Sequence, residues 1–170
     1  MSNNEPLSPS NPFRMAIVGH GFVGQAVEYA FTHPMVKFEL IDPKYNTSVD
    51  DLTEFDPHCV FVCAPTPSND DGSVDSNIVE DAVLKSLIHT NGLVVVKSTI
   101  TPDVIDRLYS SLDRRQIDRF AYNPEFLTEK NAKADFVTAK FHVIGGSPQS
   151  TQELIEIYDI FSGCESNDYH

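Results

Sequence analysis

Met15-Ala16-Ile17-Val18-Gly19-His20-Gly21-Phe22-Val23-Gly24 is the stretch on which the reading of this chain turns. Four apolar residues lead into a Gly-x-Gly-x-x-Gly run, and a segment of helical period follows from Phe22 to Phe31. A short run apolar on both faces suits a strand covered by helices on each side. Glycines at its end suit a tight turn into a helix. Alone, the glycine pattern is weak, because such a turn can simply join a strand to a helix.

The context strengthens it. A second apolar run, Lys37–Ile41, ends at Asp42, which stands 18 residues beyond Gly24. That is where a dinucleotide-binding βαβ unit places its ribose-binding acid. Gly19 would permit the turn, Gly21 would let the backbone approach a pyrophosphate, and Gly24 would let helix and strand pack closely. The N–H groups at the helix start, at Phe22 and Val23, would face the phosphates. Asp42 would accept hydrogen bonds from the adenosine ribose and repel a 2′-phosphate, which favours NAD over NADP. Lys44 could tolerate a 2′-phosphate and is the weaker consideration. His20 is expected to point out of the turn into solvent.

Further apolar runs predict strands at Arg14–Val18, Lys37–Ile41, Cys59–Cys63, Leu93–Lys97, Arg119–Tyr122 and Phe141–Ile144. Helical periodicity predicts helices at Phe22–Phe31, Asn77–His89, Pro102–Leu112 and Gln149–Phe161, with one short helix over Val49–Phe55. Thr101-Pro102-Asp103 reads as an N-cap, an N1 proline and an acidic first turn. Ser76 and Ser147-Pro148 read as further starts, and Asn91-Gly92 as a stop. Alternating β and α units imply an α/β fold: a doubly wound, mostly parallel Rossmann-like sheet of about six strands with helices on both faces. The expected strand order is 2-1-3-4-5-6.

At 170 residues and 41% hydrophobic, the chain has the size and apolar content of one globular domain. No stretch reaches the roughly 20 apolar residues of a membrane span. Residues 1–12, rich in Asn, Ser and Pro, read as a flexible leader and not as a signal peptide. Residues 13–161 are the expected domain, 162–170 a tail, and the cytoplasm the expected location. A net charge of −13 argues against nucleic acid and anionic membrane as partners. Three cysteines without CxxC spacing suggest neither disulfides nor zinc, and Cys59 and Cys63 read as inert core residues. Asp70, Asp71 and Asp75 lack EF-hand spacing, so a solvated acidic surface is preferred there and no metal is expected.

Three segments fall at the carboxyl ends of predicted strands, where open α/β sheets place their ligands. They are Ala64-Pro65-Thr66-Pro67-Ser68, Lys97-Ser98-Thr99-Ile100-Thr101-Pro102, and Tyr122-Asn123-Pro124-Glu125-Phe126-Leu127-Thr128-Glu129. With Gly19–Gly24 and Val143-Ile144-Gly145-Gly146, they resemble the NAD-binding domain of the UDP-glucose/GDP-mannose dehydrogenase family. The resemblance implies oxidation of the C6 alcohol of a nucleotide sugar toward the uronic acid by successive NAD molecules. It implies that Thr66 lines the cofactor site and that Thr99 positions the catalytic water or the reacting oxygen. It also implies that Glu125 and Glu129 lie near the sugar and nicotinamide, with Glu125 the candidate for acid–base work. Simpler readings stand beside these. Thr99 and Thr101 could cap a helix, Glu129 and Lys130 could be a solvated pair, and Asn123-Pro124 could be only a turn.

The family's second half supplies a central helix, a sugar-nucleotide domain, and a catalytic cysteine, lysine and asparagine. None has a counterpart here, and Cys164 does not match the cysteine motif. The chain therefore reads as truncated before those parts. The 16 residues between Asp42 and Cys59 are also too few for the insertion that family members carry. Three alternatives stay open: the NAD-binding part of a nucleotide-sugar dehydrogenase, a small self-sufficient NAD-dependent oxidoreductase, or a non-catalytic NAD-binding module. Whether the chain alone is an enzyme is left open, as is a homo-oligomer or a partner chain. An exposed apolar surface on the Glu153–Phe161 helix would favour the first or third.

Overall fold

The computed structural model describes residues 7, 8, 10–69, 72–166 and 168–170. The leader expected over residues 1–12 therefore lies largely outside the described residues, as do Asp70 and Asp71. Strands are β1 (Phe13–Val18), β2 (Val36–Ile41), β3 (Cys59–Val62), β4 (Leu93–Val96), β5 (Phe120–Tyr122) and β6 (Gly145–Gly146). Helices are α1 (Phe22–Ala30), α2 (Leu52–Phe55), α3 (Asn77–His89), α4 (Pro102–Ser111), α5 (Arg114–Ile117), α6 (Ala132–Val137) and α7 (Pro148–Phe161).

The sheet order is β2-β1-β3-β4-β5-β6, as the sequence predicts. The first five strands run parallel and β6 pairs antiparallel with β5. Strand residues alternate between two cores because successive side chains point to opposite faces. Met15, Ile17, Phe61 and Val95 pack under α1, α6 and α7 against Val27, Phe31, Phe136, Leu154 and Tyr158. Ala16, Val60, Val62, Val94 and Val96 face α2, α3 and α4 through Leu52, Val79, Val83, Val104 and Leu108. Both faces are thus covered, which explains why the central strands are apolar throughout. Helix α7 buries Leu154, Ile157, Tyr158 and Phe161 and leaves Ile160 exposed.

The short Asp42–Cys59 connection holds a 3-10 turn, Val49–Asp51, running into α2. The Ser48 N–H donates to the Asp51 carboxylate at 2.8 Å and starts that turn.

The sixth strand departs from expectation. The sheet edge is Gly145–Gly146, not Phe141–Ile144. The backbone of the predicted segment bonds elsewhere: His142 N–H donates to the Asp168 carbonyl, Ile144 N–H to that of His170, and His170 N–H to that of His142. His142 is the buried residue of that segment while Phe141 stays exposed, and its backbone partner is the end of the chain. Helices α5 and α6 are also additions. The Asp113 carboxylate accepts from Gln116 N–H while the Gln116 side chain accepts from Asp113 N–H, a capping box too short to show periodicity.

Among the helix starts, Ser147 caps α7 through its side chain, accepting from Ser150 N–H at 3.2 Å. Thr101 and Ser76 occupy N-cap positions without a side-chain cap bond. The Ser76 hydroxyl instead donates to Glu80 at 2.6 Å. No helix among the described residues is long and apolar enough to cross a membrane.

Candidate functional site

The glycine turn sits where β1 ends, between the tips of β2 and β3. Gly19 N–H donates to the Ile41 carbonyl at 2.8 Å, and Cys63 N–H to that of Val18 at 2.7 Å. Gly19 has φ +89°, and a Cβ there would stand 2.6 Å from the Cys63 carbonyl oxygen. A Cβ on Gly24 would come within 2.2 Å of the Gly19 oxygen. The fold itself requires both glycines. Gly21 is different: its φ is −76°, open to any residue, and a Cβ would meet nothing within 4 Å. The protein makes no use of the space Gly21 leaves. Gly21 is the N-cap of α1 and offers no side-chain cap, and Phe22 is exposed beside it. The unpaired N–H groups of the first helical turn therefore open onto a free surface.

Asp42 lies at the tip of β2 beside this turn. Its Oδ2 accepts from His20 N–H at 2.8 Å and its Oδ1 from Lys44 N–H at 3.0 Å. Partial burial pulls its pKa up, but those two backbone bonds and the Lys44 charge outweigh it and hold the carboxyl below its usual value. Each oxygen keeps a lone pair for a further donor.

His20 corrects the expectation of a solvated ring. It is buried, with Nδ1 2.8 Å from the Tyr45 hydroxyl and Nε2 2.9 Å from Glu28. The 3-10 turn Pro43–Tyr45 and the second turn of α1 bring those partners over it. The Lys44 ammonium donates to the His20 carbonyl. Motif loop, Asp42 and the segment after it thus form one braced unit.

The other three segments follow neighbouring strands. Thr66 is half-buried beyond β3, Thr99 exposed beyond β4, and Glu125 half-buried beyond β5. Bonds between the tips hold them together: Ser98 Oγ donates to the Ala64 carbonyl at 2.7 Å, and Tyr122 Oη to that of Ile100 at 3.2 Å. One Glu125 oxygen accepts from Leu127 N–H. Glu129 is exposed at the start of a 3-10 turn, and no ion pair joins it to Lys130 among the described residues.

A buried polar group that sequence reasoning passed over underlies these tips. Lys97 is 2% exposed, and its Nζ donates to Asn123 Oδ1 at 3.0 Å and lies 3.5 Å from the Tyr158 hydroxyl. The Tyr158 hydroxyl donates to the same Asn123 oxygen at 2.7 Å, and Asn123 Nδ2 donates to the Val143 carbonyl at 2.7 Å. Burial lowers the Lys97 pKa to about 8. The available signal was a lysine ending an apolar run that the strand pattern makes buried. A cavity of about 250 Å³ opens beside it, bounded by Glu125, Phe126, Phe136, Phe141 and His142. A second cavity, about 310 Å³, lies at the opposite ends of the strands, by Phe13, His58 and Gly92, far from these segments.

Cys59 and Cys63 are buried, and burial pushes the Cys63 thiol up to about 12. That is the behaviour of core residues. Among the described residues no group of three or more His, Cys, Asp or Glu could hold a metal.

Residues 44–162 match the model of the UDP-glucose/GDP-mannose dehydrogenase family, NAD binding domain. The glycine turn and Asp42 precede that match, so their assignment rests on the geometry above. A UDP-glucose 6-dehydrogenase of Rickettsia felis is 33% identical over 56% of this chain and 22% of its own length. One from Haloferax volcanii is 29% identical over 85% of this chain and 44% of its own. The GDP-mannose dehydrogenase structure from Pseudomonas aeruginosa superposes with a TM-score of 0.72 at 20% identity, over 92% of this chain and 45% of that one. The chain thus spans less than half the length of each of these proteins.

Proposed function

Because the chain belongs to the UDP-glucose/GDP-mannose dehydrogenase family, whose NAD binding domain it carries, we propose that it serves the oxidation of a nucleotide sugar at its C6 alcohol, with a second, sugar-binding part completing the site. The observation that carries this reading is the division of labour among the glycines. Gly19 and Gly24 are demanded by the protein, whereas the space at Gly21 serves only something outside it.

The residues present fit NAD. The start of α1 would face the pyrophosphate, and the free lone pairs of Asp42 would accept the adenosine ribose hydroxyls. The Asp42 charge would repel a 2′-phosphate. Thr66 would line the cofactor's far end. When bound, NAD accepts the hydride that leaves C6. A proton must leave the C6 oxygen with it, and Glu125 would take that proton. One Glu125 oxygen is held by Leu127 N–H, which fixes the carboxylate's orientation and leaves the other oxygen uncommitted. Thr99 would orient the reacting oxygen or a water, and exposed Glu129 would lie further along the same loop.

Calorimetric titration with NAD and NADP, against an Asp42→Ala control, tests the cofactor half. Saturable NAD binding, weaker NADP binding and loss of that preference in the variant are the expected results. Absence of binding at millimolar NAD would overturn the assignment. Uronic acid formation by the 170-residue chain alone would contradict the need for a second part.

A further inference from the structure

Lys97 and Asn123 directly follow β4 and β5, and each stands two residues before a side chain assigned to the chemistry, Thr99 and Glu125. Asn123 is engaged at both its polar atoms: its oxygen accepts from Lys97 and from Tyr158, and its amide nitrogen donates to the Val143 carbonyl. A neutral donor at position 97 would satisfy that oxygen. Burying an ammonium ion costs several kcal/mol unless something compensates the charge. Among the described residues no carboxylate lies within ion-pair distance of Lys97, and the Phe136 ring, 4.8 Å from Nζ, compensates only part of the charge.

The groups facing Lys97 narrow the choice. Cys63, from the end of β3, stays a neutral thiol because burial holds its pKa near 12. Burial and the Lys97 charge lower the His142 imidazole to about 4, so it too is neutral at pH 7. Burial raises the pKa values of the Tyr158 hydroxyl and the Cys164 thiol. Lys140, on the cavity wall, carries the same sign. Asp135, in α6, holds Thr128 at the surface, where its Oδ2 accepts from Thr128 N–H and Oγ1. Glu125 remains: it borders the same cavity, has an uncommitted oxygen, and acts on the Lys97 charge.

We propose that Lys97 is a positioning residue for the reaction read above, whose buried charge draws in the Glu125 carboxylate and so holds the Pro124–Leu127 loop in the conformation that presents it. The proposal rests on that reading for its purpose, while its physical content lies within this chain. Attraction to Lys97 keeps the Glu125 carboxylate over the end of β5, where Leu127 N–H completes its grip. Loss of the charge frees the carboxylate to swing toward water, and the Leu127 hydrogen bond is lost with it.

Nuclear magnetic resonance on the isotopically labelled 170-residue chain tests this. The Leu127 amide and the Lys97 ammonium would be followed together from pH 6 to pH 10. The expected result is a shared titration step near pH 8, where Lys97 loses its proton. Lys97→Met should abolish the step and speed Leu127 amide exchange by about tenfold. Lys97→Arg should keep the slow exchange and show no step, because guanidinium stays charged throughout. A Leu127 amide that stays still while Lys97 titrates overturns the proposal, as does wild-type exchange in Lys97→Met. If Lys97→Met fails to fold, the wild-type titration and Lys97→Arg decide. Calorimetry with NAD on the same samples separates the two claims. A Leu127 step without NAD binding sinks only the cofactor reading, and NAD binding with a silent Leu127 sinks only this one.

Discussion

Alanine at Gly21 and alanine at Gly24 should have opposite consequences, although both belong to one six-residue motif. At Gly24 the new Cβ would lie 2.2 Å from the Gly19 carbonyl oxygen and 3.2 Å from the Ile17 side chain. Backbone cannot yield as a flexible side chain would, so α1 must move off the turn. Overpacking of this kind costs about 1–3 kcal/mol, and the better helix propensity of alanine returns about 1 kcal/mol at most. A Cβ only 2.2 Å from backbone puts the cost at the upper end of that range, so a net loss of about 2 kcal/mol is expected, a sizeable part of the roughly 5–15 kcal/mol that holds a typical domain together. At Gly21 the Cβ meets nothing within 4 Å and φ is −76°, so the fold does not notice it. Stability should be unchanged or higher by about 0.4–1 kcal/mol, because the unfolded chain loses freedom. The cost appears in binding instead, where the methyl group keeps the phosphates from the first turn of α1. About a tenfold weaker Kd for NAD, or 1.4 kcal/mol, is expected. Urea unfolding and calorimetry on the two variants measure both quantities. A Gly21→Ala protein that binds NAD as tightly as the parent would refute the claim that the backbone there meets the cofactor. A Gly24→Ala protein of parental stability would refute the packing argument.

Other tests address the interior. His142 is buried with its Nε2 unpartnered, and its pKa falls from 6.5 to about 4. The unfolded chain thus binds the proton more tightly, and stability should fall as pH drops from about 6.5 toward 4, by at most about 3 kcal/mol. His142→Phe should flatten that limb in acid unfolding curves, and an unaltered limb would assign it to other groups. Asn123→Ala leaves the Lys97 ammonium and the Tyr158 hydroxyl without their shared acceptor, so a loss of about 2–4 kcal/mol in urea melts is expected. Parental stability would mean that the tips of β4 and β5 are held by backbone alone. Cys59 and Cys63 should resist iodoacetamide at neutral pH until the protein unfolds, as mass spectrometry would show. Labelling of either in the folded state would contradict their sealed setting.

Much of the fold could be read along the chain because it is written in local patterns. Helix α3 runs over the very residues that the periodicity of Asn77–His89 marks out, and the strand order follows from the shortness of the Asp42–Cys59 link. Gly19, Gly24 and Asp42 were legible because a βαβ turn restricts residue type at fixed offsets. What escaped was set by contacts distant in sequence. Nothing near His20 announces Tyr45 and Glu28, so its burial could not be foreseen. Phe141–Ile144 looks like a strand, but its ladder partner is the chain's last residues. The Lys97–Asn123–Tyr158 cluster joins β4, β5 and α7, and only its lysine, at the end of an apolar run, gave a hint.

The sheet's pairing pattern also sets the order in which this protein can assemble. Each ladder joins strands well apart in the chain: Phe13 pairs with Val36, Met15 with Cys59, Cys59 with Leu93, and Val94 with Phe120. No strand can pair with its neighbour through a tight hairpin, so closure entropy precedes any reward and refolding should be slow for a chain of this size. The glycine turn is pinned from both sides, by Ile41 on β2 and by Cys63 beyond β3. Its shape therefore exists only after three strands have met. A ligand that recognises that shape binds late, so NAD should slow the unfolding arm of a chevron and leave the refolding arm almost untouched.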